Sequence, residues 1–451
     1  MRTGSAKPHR LTMARGGNGF ERPERRLRRT IKRMRAKGFA WEEGKQDKFT
    51  DEDLAFVITG DIDAMWLRDS ANQILSYLPV LQASSDPKSL AALFRGVINV
   101  HSRYIKITPY CHAFQPPPES QLPLPHNGAY HQNTVHMFGQ VGYDQKKTFD
   151  CKWELDSLAS FLQISSEYYN ATGDIGPFKK YTWVDTVEVI LDARLHNGKP
   201  NKSSSETTSN NGLGNPITWT GMIRSTFRPS DDATIFQYLI PSNMMFARYV
   251  EAASTIMQDI DTLKSRQLTE RMREMAAEIR AGITKYSIIS HPLLGAMFAF
   301  EVDGYGSQNL MDDANLPSLL SAPMMGYVSS KDKVYQNTRV FALSEMNPYW
   351  AFGEVYNAIG GPHNGPTKGW PLAGIVRILT SEDASGEEIR NELRQILNTT
   401  DGLGLIHETV NSWNARDWSR QWFGWANGMF GQMILNLEKQ MPHLLEESYQ
   451  D

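Results

Sequence analysis

The sequence predicts a mainly α-helical chain folded as one ring of helix pairs. Three observations lead there. Apolar residues recur at helical spacing from Ser70 onward, strand-like alternation is scarce, and nothing in that span resembles an interdomain linker. The 451 residues suffice to bury a large core, and 40% hydrophobic with 22% charged residues is an ordinary globular balance. With 47 basic and 50 acidic residues the net charge is −3, so no overall field favours nucleic acid or an anionic membrane. No apolar run approaches the about eighteen residues of a transmembrane helix.

Taken in order, residues 1–40 read as a basic, solvated arm with helical spacing from Glu24 to Lys37, ahead of one domain over residues 41–451. The arm lacks the apolar core of a secretory signal. The expectation is a cytoplasmic chain, or a secreted one if a leader precedes it. Sequons at Asn170, Asn201 and Asn398 have meaning only in a secretory compartment.

The next helix is ANQILSYL, following Ser70. Residues 88–105 place Leu90, Leu93, Phe94, Val97, Ile98 and Tyr104 on one stripe, and 153–169 do the same with Leu155, Leu158, Phe161, Leu162 and Tyr169. Further helices are expected over 181–195, 242–257, 262–285, 315–325, 349–358, 370–381, 386–397 and 422–438. The best strand is FAFEVDG at 298–304. Residues 196–216, rich in Ser, Asn and Gly, read as a mobile surface loop. Cys111 and Cys151 bracket a Pro-rich excursion, which suits either a disulfide across its base or two buried thiols. In a ring of helix pairs long loops collect at one end, and function is sought there.

Several segments break helical periodicity by packing polar and aromatic residues together. The first runs from Thr59 to Ser70. Asp69 or Ser70 can cap the following helix, but a cap does not explain Asp61, Asp63, Trp66 and Arg68 crowded before it. Arg beside Asp offers a donor fork next to an acceptor, which adjacent sugar hydroxyls require. The second, Phe227 to Ala233, carries Arg228 and the adjacent acids Asp231 and Asp232. Either they complement a helix dipole, or their repulsion keeps one protonated, as a general acid needs to be. In the third, Glu408 lies between His407 and Asn411, ahead of Trp413, Trp418, Trp422 and Trp425. Eleven Trp and seventeen Tyr supply flat faces suited to stacking on sugars, although most are expected to fill gaps between helices. Two further loops present His363 with Trp370, and the pair Asp312–Asp313, one of which suits a helix cap.

The chain has no Gly-x-Gly-x-x-Gly fingerprint, P-loop, Gly-x-Ser-x-Gly elbow or His-Glu-x-x-His. Its eleven His are scattered, and His131 and His136 have poor ligand spacing. Neither a metal nor a cofactor is expected.

Together the segments GDIDAMWLRDSANQ, PYCHAFQ, KWELDSLA, FRPSDDATIFQYLIPSNM, MDDANLPSLL, NPYWAFG, GPHNGPTKGWPLAGI, IHETVN and RDWSRQWFGWANG resemble glycoside hydrolase family 125. The likeness runs from about residue 57 to residue 435. It implies an all-α (α/α)6 barrel and a metal-independent, inverting exo-α-1,6-mannosidase acting on α-mannoside oligosaccharides or glycans. Carried onto this sequence, it makes Glu408 the general base and puts the acid in FRPSDDA. Asp231 is preferred over Asp232, because related barrels use the first of two adjacent acids. Arg68 and Asp69 would hold hydroxyls of the terminal mannose, as in glucoamylase-like barrels. Asp61, Trp66, Arg228, Asp232, Asp313, His363 and Trp370 complete the expected sugar contacts. The Pro-rich excursion, the 196–216 loop and the basic arm depart from the family pattern. Two competing readings are another barrel enzyme, such as a glucoamylase-like hydrolase or a sugar epimerase, and a non-catalytic carbohydrate-binding protein. Oligomeric state leaves no mark in the sequence.

Overall fold

In the computed structural model the described residues are 51–122, 124, 146–193 and 214–449. The expected arm over 1–40 with its helix, the sequon Asn201, His131, His136 and residues 196–213 of the low-complexity loop lie outside them.

Two burial patterns sort the helices. All of α1 (Leu67–Leu75) is buried, and α3 (Leu155–Thr172) is buried without a break from Leu155 to Ser166. α6 (Ile240–Ile260) opens with a continuous buried run from Ile240 to Ala247. Helices enclosed on every side belong to an inner layer. By contrast α7 (Leu263–Tyr286) buries one stripe, including Leu268, Met272, Met275, Ile279 and Ile283, as an outer helix should. The remaining helices among the described residues are α2 (Leu90–Ile107), α4 (Gly176–Lys180), α5 (Trp183–Ala193), α8 (Lys333–Ala342), α9 (Pro371–Leu379), α10 (Glu387–Asn398) and α11 (Gly424–Gln440).

Contacts follow the same division. α1 packs between α3 and α11, α3 continues onto α6, and α11 onto α9. α7 covers α6, α10 covers α9, and α2 packs on α3 and α5. Short strands lead into the inner helices: β1 (Met65–Trp66) into α1, β3 (Thr148–Asp150) toward α3, β4 (Tyr238–Leu239) into α6, and β11 (Lys368–Gly369) into α9. β13 (Asn414–Ser419) precedes α11. The helix starts are neighbours in space. Arg68 in the first turn of α1 bonds Asp156 in the first turn of α3, and its guanidinium lies 5.6 Å from the ring centre of Trp425 in α11. Ser242 of α6 reaches Asp156, and Phe423 meets Trp370 edge-on just before α11 and α9. Neighbouring inner helices therefore begin at one end, where their unpaired N–H groups favour negative charge.

Two helices expected from sequence are absent. Over 315–325 the apolar residues Leu316, Leu319, Leu320, Ala322 and Met325 are buried as expected, but the backbone forms a run of turns. The Asp312 carboxylate accepts the N–H groups of Leu319 and Leu320, each at 2.9 Å, and Ser318 and Ser321 bond each other's backbone. These side-chain acceptors compete with helix carbonyls, and Pro317 and Pro323 remove donors. Over 349–358 the chain forms β9 (Trp350–Ala351), paired antiparallel with β10 (Ala358–Ile359). The turn between them passes so close to the chain at Ser412 that a Cβ on Gly353 would lie 2.2 Å from that carbonyl. Conversely α8 forms where the apolar spacing predicts no helix, and Asp332 caps it by accepting the Tyr335 N–H. The strand expected at 298–304 divides into β6 (Gly295–Phe298) and β7 (Glu301–Val302).

Two of the helix-start readings change as well. α1 begins at Leu67 with Trp66 at its N-cap and no side-chain cap, so Asp69 and Ser70 stand inside its first turns. Asp231 and Asp232 belong to a turn well ahead of α6, not to a helix start.

The cysteines form a disulfide, Cys111–Cys151. It joins the entry to β2 (Ala113–Phe114) with the exit from β3; β2 also pairs with β1, Trp66 opposite Ala113. Loop closure over a sequence separation of 40 suggests a stabilisation of at most about 4 kcal/mol. The Cys111→Ser/Cys151→Ser double variant is expected to melt several degrees below the wild type in differential scanning calorimetry. An unchanged melting temperature would remove the bond from the forces holding this sheet.

Candidate active site

The floor of the site is a buried charge layer between α1 and α3. Arg68 Nη1 donates to Glu154 Oε2 at 2.6 Å and to Asp156 Oδ2 at 3.1 Å. Its Nη2 lies 3.5 Å from Asp69 and 3.9 Å from Asp231. The disulfide stands directly behind this layer, since His112 follows Cys111 and Lys152 follows Cys151. The Lys152 N–H donates to His112 Nδ1 at 3.0 Å, so the ring carries its hydrogen on Nε2. That Nε2 faces Asp231 Oδ1 at 3.2 Å.

Asp231 and Asp232 are presented by a tight turn. The Asp231 N–H bonds the Arg228 carbonyl at 2.9 Å, with Pro229 at the second position that its fixed φ suits. Asp231 takes φ +66°, a left-handed conformation uncommon outside glycine but accessible to aspartate. The turn is anchored by Arg228 Nε, which donates to Glu301 Oε1 at 2.6 Å, while the other Glu301 oxygen accepts the Ile235 and Phe236 N–H groups. Asp232 turns the other way, accepting from Ser230 Oγ at 3.0 Å and lying 3.4 Å from His363 Nδ1.

Glu408 enters from the far side, at the start of β12 (Thr409–Asn411). Its Oε2 accepts from Ser419 Oγ at 2.9 Å and Asn364 Nδ2 at 3.4 Å, and its Oε1 from Arg420 Nε at 3.1 Å. Arg420 also donates to Asp61 at 2.5 Å. Beneath Glu408, His407 stacks flat on Trp418 with centroids 4.4 Å apart. Gly424 lets the 59–63 segment lie against α11: a Cβ there would stand 2.7 Å from the Thr59 carbonyl.

Electrostatics divide the acids. Burial raises Asp69 to about 6, against the pull of Arg68, and it feels both Asp231 and Glu408. Burial drives Glu154 far up, aided by Asp231 and Asp156. Burial also opposes ionisation of Asp231, yet Lys152, His112 and Arg68 together hold it well below the usual carboxylate range. Of the two acids, one of which repulsion was expected to keep protonated, Asp231 is therefore not that one: Lys152, Arg68 and the His112 N–H outweigh one neighbouring acid. His363 is raised chiefly by its bond to Asp232, against burial.

Most of the residues expected from sequence meet here: Asp61, Arg68, Asp69, Arg228, Asp231, Asp232, His363 and Glu408. Asp313 joins them from behind Gly361, with one oxygen bonded to Asn315 and the other buried and unpaired. Asp312 instead holds the backbone of the turns at Leu319 and Leu320, and with no helix there it is not the helix cap expected of one member of the pair. Trp66 is largely buried, edge-on to His112 and Phe149. Trp370 is a correction: at 2% exposure it packs with Ile359, Phe423 and Trp425 in the core and offers no face to a ligand. His112, Lys152, Glu154, Asp156, Asn364 and Arg420 were given no role from sequence. The cysteines beside His112 and Lys152 were the available signal; Glu154 and Asp156 look like ordinary helix-start acids.

His112, Glu154 and Asp231 bring one potential ligand atom each within 4.8 Å of one another. The set fits a cation poorly. His112 Nε2 carries hydrogen rather than a lone pair, and Arg68 and Lys152 already press on the same carboxylates.

A profile of the family described as metal-independent alpha-mannosidase (GH125) matches residues 24–435. The chain is 41% identical over 413 residues to the Meiotically up-regulated gene 157 protein of Schizosaccharomyces pombe, covering 87% of this chain and 78% of that one. Among solved structures it is similar to a Streptococcus pneumoniae metal-independent α-mannosidase in a non-productive complex with α-1,6-mannobiose. That pair shares 30% identity and a TM-score of 0.77 over 87% of this chain and 90% of the other. A bacterial glucoamylase complexed with acarbose shares the (α/α)6-barrel fold at 14% identity and a TM-score of 0.51, over 87% of this chain and 52% of that one.

The raised His363 has a defined pH signature. Its pairing with Asp232 contributes stability that is fully present below the unfolded histidine value of about 6.5 and is lost as pH rises through the higher folded value. NMR titration of the His363 ring should give a midpoint above about 6.5 that falls in Asp232→Asn. The melting-temperature gap between the two proteins should close as pH rises through that midpoint. A midpoint indifferent to the substitution would remove the pair.

Proposed function

The chain belongs to the metal-independent α-mannosidase family, and on that premise we propose that it releases terminal mannose from α-1,6-linked mannosides by inversion. The observation that carries this reading is the disposition of carboxylates about the Arg68–Asp69 pair. Asp69 feels both Asp231 and Glu408, which are held by different elements: Asp231 by Arg68 and His112, Glu408 by Ser419 and Arg420. The α-1,6-mannobiose held by the Streptococcus pneumoniae relative supports the linkage.

Roles follow from the surroundings. Glu408 is oriented through both oxygens by Ser419, Asn364 and Arg420, which suits a base that draws a proton from water. Asp231 protonates the glycosidic oxygen from the opposite face. Asp232, bonded to Ser230 and His363, grips the sugar, with the reverse division of the two aspartates as the alternative. Inversion requires room for one water, a carboxyl separation of roughly 6.5–9.5 Å. Arg68 and Asp69 put a donor beside an acceptor for adjacent mannose hydroxyls. The buried layer of Arg68, Glu154 and Asp156 supports a site closed on that side, which suits removal of chain ends. The closed disulfide and the exposed sequons Asn170 and Asn398 support folding in an oxidising compartment.

Proton NMR of an α-1,6-mannobiose digest should reveal β-mannose before its mutarotation to the α-anomer. α-Mannose appearing first would sink the inverting mechanism. Glu408→Gln should lower kcat by about 10²–10⁴ with binding of the disaccharide largely retained. Undiminished turnover would reassign the base.

A further inference from the structure

The charges behind Asp231 do not balance. Arg68 and Lys152 face five carboxyls: Asp69, Asp150, Glu154, Asp156 and Asp231. The Glu154 and Asp156 side chains have no exposed surface at all. Arg420 adds its charge only at Asp69, so five ionised carboxylates in this largely buried layer repel one another more than the cations can offset, and at least one retains its proton.

Hydrogen bonding says which. Asp156 gives one oxygen to Arg68 and the other to Ser242. Glu154 gives Oε2 to Arg68, while its Oε1 is buried without a partner. Asp231 Oδ1 is buried as well, with His112 Nε2 at 3.2 Å beside it, and the Glu154 and Asp231 side chains are in hydrogen-bond contact. Two ionised carboxylates cannot rest against each other away from water, and the Glu154 oxygen has no other donor, whereas a proton between them makes a charge-assisted hydrogen bond.

We propose that Glu154 is the proton store for the acid half of the reaction, sharing one proton with Asp231, which takes it up to protonate the glycosidic oxygen. This rests on the reading of Asp231 as the acid, and it resolves that reading's difficulty: an aspartate pressed by Lys152, His112 and Arg68 does not keep a proton of its own. The opposite shifts of the two carboxyls, Glu154 far up by burial and Asp231 far down by its cations, agree with a proton resting on Glu154. Asp69 and Arg68 on α1, and His363, also act on Asp231.

The step balances. The proton leaves Glu154 Oε1 for Asp231 Oδ1, and a half-turn about χ2, a two-fold torsion, brings that oxygen to the open side. It passes to the glycosidic oxygen as the bond from the anomeric carbon breaks, its electron pair staying on the leaving oxygen. Water supplies the new oxygen on the anomeric carbon and its proton goes to Glu408. Solvent exchange after release returns a proton to the Glu154–Asp231 pair and removes one from Glu408. Because the carboxyls are coupled, the alkaline limb of the rate profile belongs to the pair.

The test compares two leaving groups in one protein, so a misfolded fraction cancels. α-1,6-Mannobiose needs a proton on its leaving oxygen, whereas α-mannosyl fluoride needs little. In Glu154→Gln, kcat/KM for the disaccharide is expected to fall at least about tenfold further than for the fluoride, with the alkaline limb moving to lower pH. Glu154→Asp, which keeps a titratable carboxyl, should recover part of that selectivity, and it carries the test if the Gln variant does not fold. Equal losses on both substrates with an unmoved alkaline limb would overturn the proposal and leave Glu154 as packing for Arg68. Asp231→Asn separates the two ideas. If it discriminates between the substrates while Glu154→Gln does not, only the proton store fails. If Asp231→Asn does not discriminate either, the acid assignment itself fails.

Discussion

Arg68 is one positive charge serving four carboxylates, and the organisation of the site follows from that shortage. It stands in the first turn of α1, where α1 meets α3 and α11, and touches Asp69, Glu154, Asp156 and Asp231. Trp425 lies close beneath its guanidinium, so the cation is screened from water while its donors are directed at the acids. A buried pair that loses one member costs about 3–5 kcal/mol, which ties the placement of α1 against α3 to this single side chain. The arrangement also forces unequal protonation, because no distribution of one charge satisfies four identical acids.

The opposite wall answers with Arg420, which serves Glu408 and Asp61 rather than four partners. The Glu408 side is thus better matched in charge than the Asp231 side. General acid–base work at one pH needs that inequality: one carboxyl region must hold a proton while the other stays free to accept one. Here the difference arises from how many acids share each guanidinium, together with the depth at which each cluster sits. The short strands contribute by delivering these residues from loops while the inner helices supply a rigid frame.

Much of the frame was legible because enclosed and amphipathic helices both obey the 3.6-residue period. Residues 153–169 and 262–285 are helical nearly as written. The period misled where side chains captured the backbone. Leu316 to Met325 have a helix's apolar spacing, but Asp312, Ser318 and Ser321 take the N–H groups a helix would need. Polar clusters that broke the period, around Arg68, Asp231 and Glu408, did mark the site. What stayed hidden was which of them touch. Glu154 in KWELDS reads as an ordinary dipole-complementing acid, and only the fold sets it behind Asp231. Trp370 erred in the other direction, since a tryptophan in a Gly-rich loop near a site can equally well be the core residue that seats the next helix.

The adjacency that first draws attention, Asp231 beside Asp232, is not the interaction that decides protonation. The turn gives the two side chains different partners, His112 and Arg68 for one and Ser230 with His363 for the other. The neighbour that matters to Asp231 lies 77 positions earlier, at Glu154. Its opponents, His112 and Lys152, stand just before β2 and just after β3, two strands that the Cys111–Cys151 bond fastens together. A covalent link well outside the reacting atoms thereby fixes the imidazole tautomer and the position of a cation, and with them the charge on Asp231. The disulfide is for that reason part of the site's electrostatics as well as of the fold's stability. A geometry of this kind arises only when segments from three parts of the chain close on one another, which is why residue order alone pointed to the acids without revealing how they share a proton.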